Sequence, residues 1–190
     1  MKQQQGLVLV LALLVLMSLT ILGVSSVSSS LMQSKMSQSM ERQLLAFDAA
    51  EAAIAGVIFE SEDTQVLTDD NLMDPLSEAR QDDAIDLQNE ELSCFDQVDW
   101  TSRQLTQAGL TAGTLHQAAG DYYASPKTAS WSRTAFVQEQ ACLGSSNVIG
   151  GSNINCHVFL IRGCGKLEEK SLAIANTQKA AVFAPASGNQ

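Results

Sequence analysis

Four cysteines, two histidines and a dense run of acids are the residues of this chain whose types could do chemistry. His116 and His157 sit in no His-x-x-x-His pattern and no Cys-x-x-Cys occurs, so zinc spacing is absent. Cys156 and His157 are neighbours, and neighbours in a strand point to opposite faces, which is wrong for a thiolate and its base. That pair reads as a disulfide cysteine beside a surface histidine. Neither G-x-S-x-G nor S-x-x-K occurs, and Gly150-Gly151 and Gly163-x-Gly165 lack the helix that would make them phosphate sites. Asp69, Asp70, Asn71 and Asp74 gather oxygen ligands. A calcium loop needs a glycine at its turn, however, and Glu78 does not fall at the closing position. Asp82-Asp83 and Glu90-Glu91 are adjacent acids with no cleft or apolar wall to divide their roles, so they read as surface. The expectation is a chain that is no enzyme and holds no metal and no cofactor.

The acids are unevenly spread. The net charge of −10 comes from 11 Lys+Arg and 21 Asp+Glu in 190 residues. Fourteen of the acids, with Arg80 as the one base, lie between Glu60 and Asp99, whereas the stretch up to Phe59 balances three against three. A nucleic-acid binder needs a basic face to displace counterions from phosphates, so no direct nucleic-acid binding is expected. With 45% apolar residues the chain is a folded one. Its acidity belongs to one segment and is not a property of the whole chain.

The elements around these residues begin with Leu7 to Val24, eighteen residues without a charge. In a helix they span ~27 Å, close to the hydrocarbon thickness of a bilayer. Lys2 is the only charge before them and keeps the N-terminus cytoplasmic, with the remainder exported. Two readings compete: a secretory signal cut near Val24-Ser25-Ser26, or a short leader cut at Gly6 with the apolar segment kept as anchor. The sequence beyond the span favours the anchor. Met32, Met36, Met40, Leu44, Phe47, Ala50 or Glu51, Ile54 and Ile58 recur in steps of three and four, one helical stripe. No proline intervenes before Pro75, so span and stripe form one helix of roughly fifty residues, with Ser25 to Ser30 as its softest point. Leu11, Met36, Met40, Leu44, Phe47 and Ile54 are the candidate helix-packing residues.

Cys94, Cys142, Cys156 and Cys164 all lie beyond the span, an even number that fits disulfides in an oxidising compartment. Cys156 and Cys164 bracket HVFLIRG, a strand whose ends lie ~26 Å apart, too far for a bridge. Thr134 to Ala141 reads as the preceding strand, and the Gly, Ser and Asn between Cys142 and Cys156 read as turn. Cys142–Cys156 then closes a hairpin, worth roughly 3 kcal/mol by chain entropy, and Cys94–Cys164 fastens the acidic segment to the second strand. Cys94–Cys156 with Cys142–Cys164 stays open as the alternative. A further strand fits Ser171 to Asn176 or Lys179 to Ala184. The fold class expected is α+β: a long N-terminal helix on a small antiparallel sheet of three or four strands, supported by disulfides.

A leader ending in Gly6, an uncharged span from Leu7 and a continuous amphipathic helix resemble the N-termini of type IV pilins and type II secretion pseudopilins. Within that group, Gln5-Gly6, Ser34-Lys35-Met36 and above all Gln43-Leu44-Leu45-Ala46-Phe47-Asp48-Ala49-Ala50-Glu51-Ala52-Ala53-Ile54 resemble the PilX family of minor pilins. Phe159-Leu160-Ile161-Arg162-Gly163-Cys164-Gly165 is similar to that family's strand ending in Arg-Gly-x-Gly. The resemblance covers about residues 5 to 58 and leaves Ser61 to Ser132 untouched.

The resemblance implies cleavage between Gly6 and Leu7 by a prepilin peptidase, methylation of the new amine on Leu7, and the pilin form of the α+β fold. It divides the chain into a leader (1–6), a transmembrane half-helix (7–24), an amphipathic half-helix (25–59), an acidic connector (60–132) and a sheet region (133–190). Major pilins carry a glutamate at the fifth residue after the cut, where this chain has Leu11. A subunit without that carboxylate suits a place with no neighbouring amine to neutralise. The function implied is a minor pilin that primes or caps a type IV pilus, supporting twitching motility, adhesion or DNA uptake. Its partners would be other minor pilins, the major pilin, the prepilin peptidase, the bacterial inner membrane and a tip adhesin. The protein would be anchored by one span with its C-terminal domain exported, then move to the pilus, at its tip. The alternatives are a K-like minor pseudopilin of type II secretion and a single-span or secreted envelope protein.

Overall fold

The structure is a computed structural model and describes residues 5–96, 100–104, 106, 108–111, 117, 119–121, 126–142 and 154–185. Among the residues singled out above, His116, Gly150, Gly151 and turn residues 143–153 lie outside that description, and so do the side chains of residues 5 and 6.

Helix α1, Gln5–Glu62, has 58 residues and runs unbroken through the serines at 25–30. Ser18, Thr20 and Ser25 donate their hydroxyls to the carbonyls of Val15, Met17 and Ile21, which keeps these groups satisfied inside the helix instead of interrupting it. The chain divides into two compact units, residues 1–42 and 43–190. In the first, the described side chains from Leu7 onward are all exposed, Leu7 at 74% and Leu11 at 64%.

In the second unit, short helices α2 (Thr64–Thr68) and α3 (Pro75–Gln81) follow α1. Each begins at an aspartate: Asp63 accepts from the Gln65 amide, and Asp74 accepts from those of Leu76 and Ser77 with Pro75 in the first turn. Strands β1 (Thr101–Ser102), β2 (Thr128–Gln140), β3 (Ile154–Leu167) and β4 (Ile174–Pro185) form one antiparallel sheet in the order β1-β2-β3-β4. The two candidate third strands thus belong mostly to one, β4.

Side chains alternate across the sheet. One face carries Ser130, Ser132 and Phe136 of β2 with Phe159, Ile161, Gly163 and Gly165 of β3, and it is covered by α1 and α3. Ile54, Val57 and Ile161 form one buried cluster, with Ile58, Leu76 and Ala180 against it. Ala79, Phe136 and Phe159 form another. Each large apolar side chain so buried contributes roughly 1.5–3 kcal/mol. The opposite face carries Trp131, Leu160, Arg162 and Cys164, where the acidic segment is fastened through Cys94.

Candidate functional site

The features that give this chain a working surface are built on α1. From Leu7 to Val27 every large apolar side chain is more than half exposed, an energetic cost in water that a bilayer or a bundle of similar helices removes. The helix is long and apolar enough to cross a membrane. Leu7 and Leu11 lie in this stretch, and Met36 and Met40 stand exposed further along the first unit.

From Gln43 onward a different face of α1 matters. Ala46, Ala49, Ala50, Ala53, Ile54 and Val57 are buried, whereas Leu44 is 62% and Phe47 38% exposed. Of the large residues in the stripe, Ile54 and Ile58 meet the core; the sheet otherwise takes the alanine side of the helix. The reason is the paired glycines of β3. A Cβ on Gly163 would run into the Ala50 carbonyl oxygen and come within 2.7 Å of Ile54 Cγ1. One on Gly165 would meet the Ala46 carbonyl oxygen and lie 2.5 Å from the Ala50 amide nitrogen. Helix and strand backbones approach so closely that no side chain fits at Gly163 or Gly165, and Ala46, Ala49 and Ala50 face them from the helix.

A buried ion pair closes the end of that interface. Glu60, 2% exposed, receives Arg103 Nη1 on Oε1 at 2.7 Å and Nη2 on Oε2 at 3.0 Å. Arg103 Nε donates to Ser132 Oγ at 2.5 Å, and its backbone amide donates to the Ser130 carbonyl at 2.7 Å. The bidentate geometry gives direction as well as strength. Glu60 is thus no part of a solvated acidic surface. Sequence carries no signal for the pairing, because its partners stand 43 residues apart.

Cys94 is bonded to Cys164 and Cys142 to Cys156, with Cα separations of 5.8 and 5.0 Å. Trp131 Nε1 donates to the Cys94 carbonyl at 3.2 Å, which holds the first bridge on the sheet. His157 departs from the surface position expected of it. It is 7% exposed, stacks edge-on against Phe136 at 5.8 Å and faces Glu139, with Nε2 to Oε2 at 3.7 Å. Alternation along β3 puts it on the covered face with Phe159 and Ile161, where Arg80 also lies over the Phe136 ring at 4.4 Å. The neighbouring cysteine is locked in its disulfide, so no thiolate is available to this histidine.

The acids of the calcium-like cluster serve the backbone. Asp69 accepts from the Asn71 amide at 3.0 Å and, equally, from its side chain, and these bonds lower the Asp69 pKa from the ordinary carboxylate value. Asp74 caps α3. Asp86 is likewise lowered, first by Asn89 Nδ2 at 2.6 Å and then by the Gln88 amide. Among the described residues no group of three or more potential ligands is assembled for a metal.

Comparison with known proteins supplies the remaining link. No curated protein and no solved structure matches the chain. Residues 5–55, which hold the exposed apolar helix and the alanine face that meets the sheet, match the family model described as PilX N-terminal. A membrane-capable helix entering a small disulfide-bonded antiparallel sheet is the pilin form of α+β fold. Over this N-terminal segment the chain is similar to the PilX family, a likeness that supports a membrane-anchored, type IV pilus-associated minor pilin.

Proposed function

We propose that this protein primes or caps type IV pilus assembly. The observation that carries the proposal is the exposed apolar helix of residues 7–27 with PilX-type sequence and Leu11 at the position where major pilins carry a glutamate. Removal of the leader by a prepilin peptidase between Gly6 and Leu7 frees an amine on Leu7, which is then methylated. The helix leaves the inner membrane by exchanging lipid contacts for contacts with the helices of other minor pilins and of the major pilin. Both environments are apolar, so the exchange depends on close packing, to which Leu11 contributes below the membrane surface and Met36, Met40, Leu44 and Phe47 beyond it. An uncompensated amine in such a bundle is costly, and a tip position, beside a tip adhesin, asks least of a subunit lacking the carboxylate. Twitching motility, adhesion and DNA uptake follow as processes that depend on the pilus.

Mass spectrometry of the N-terminus in assembled cells tests the reading. The expected species begins at N-methyl-Leu7; a start near Val27, or an intact Met1, refutes it. Loss of surface pili on deletion, with protein secretion intact, separates a pilus subunit from a K-like secretion pseudopilin, and the converse reverses the assignment.

A further inference from the structure

Strand β4 ends the sheet, and among the described residues nothing pairs with its outer edge. Alternate residues over Ile174–Pro185 therefore direct backbone N–H and C=O groups outward, a row that another extended chain satisfies best. Beside this edge, on the face away from α1, a groove of about 490 Å³ runs between the segment carrying Cys94 and strands β3 and β4. Its lining includes Leu87, Glu90, Glu91, Phe95, Arg162 and Ala175. Three observations bear on what it takes. Leu87 and Phe95 are 52% and 66% exposed, apolar area that an occupant would cover. Arg162, whose Nη1 donates to Thr177 Oγ1 at 3.1 Å, lines the floor with a guanidinium whose charge is complementary to no second base there. Glu90 and Glu91 are exposed on the wall, and neither is joined to Arg162.

We infer that the β4 edge and this groove form a strand-addition site for an extended segment of a partner protein, apolar at alternate positions and basic where it passes Glu90 and Glu91. A strand paired along β4 sends every second side chain onto the face that carries Ala175, Arg162 and the groove. Backbone pairing provides the hold, and the acids select the basic end. Lys179, at mid-strand, excludes a second positive charge there and is the kind of charge with which edges resist indiscriminate pairing. The Cys94–Cys164 bridge fixes the wall to the floor, so the groove exists before the partner arrives. The site lies wholly within residues 43–190 and does not depend on the filament role of the apolar helix.

The test uses the full chain in detergent micelles and a fluorescent peptide, Lys-Thr-Lys-Thr-Val-Thr-Val-Thr, which in a strand places both Lys and both Val on one face. Binding is read by anisotropy and by hydrogen exchange, against one control peptide with Glu for Lys and another with Pro for Val. The expected result is that the Lys peptide binds and slows exchange of β4 amides, that both controls bind poorly, and that E90K/E91K weakens binding about tenfold. Equal binding of the Lys and Glu peptides, absence of binding, or protection confined to other strands overturns the site. Concentration-dependent protection of β4 without peptide overturns it as well, in favour of a second copy of this chain.

Discussion

Two glycines and one arginine set what single residues can do here. Gly163→Ala and Gly165→Ala place a methyl group into the backbone of α1, which cannot yield as a flexible side chain would. Each is expected to lower stability by about 1–3 kcal/mol or more, read as the unfolding temperature of the full chain in detergent. Gly23→Ala, which meets nothing within 4 Å, should leave it unchanged or slightly higher. Arg103 tests the other end of the interface. Arg103→Met removes the bidentate partner of the buried Glu60 carboxylate, at a cost of about 3–5 kcal/mol. Adding Glu60→Leu should recover a large part of that loss, because removing both charges removes the desolvation penalty. A double mutant no better than Arg103→Met alone would show that Arg103 acts through Ser132 and the Ser130 carbonyl instead.

Among elements, the two disulfides are not equivalent. Cys94–Cys164 closes a loop of 70 residues of separation and Cys142–Cys156 one of 14, so chain entropy assigns them about 4 and about 3 kcal/mol. Replacing each pair by serine should therefore lower the urea midpoint more for Cys94/Cys164. That change also frees the groove wall and should increase hydrogen exchange in segment 87–96, whereas loss of Cys142–Cys156 should act at the β2–β3 end of the sheet. Equal effects would show that the strands alone hold the acidic segment. Helix α1 joins these elements to the fold through small residues. Its alanine face needs the β3 glycines, and the register Ser132↔Gly163 and Ser130↔Gly165 places serines beside them, so the floor is small where the helix comes closest.

At the scale of the whole molecule, the apolar helix and the disulfide-bonded unit call for different experiments. Leu11→Glu adds the carboxylate that major pilins carry. For a subunit of the tip it should leave pilus number unchanged or raise incorporation along the shaft, measured by immunogold labelling of sheared pili; loss of assembly would argue against the tip. The sequence by itself determined much of this protein, because the signals concerned are local. An uncharged run of bilayer length, an unbroken helical pattern and the spacing that forbids Cys156–Cys164 all follow from neighbouring residues, and Gln43 to Ile54 carries the PilX likeness. Arg162-Gly163-Cys164-Gly165 was legible as a motif, although its purpose was not. Only the tertiary structure decided which side of α1 is buried, since hydrophobic periodicity weights Leu44 and Phe47 above Ala46 and Ala53, and glycines more than 100 residues away reverse that order. It also decided that Glu60 and His157 are buried, and it settled the cysteines on Cys94–Cys164 with Cys142–Cys156, the pairing that spacing favoured, over the alternative left open. A buried charge depends on a partner brought close by the fold, and sequence proximity carries no trace of that partner.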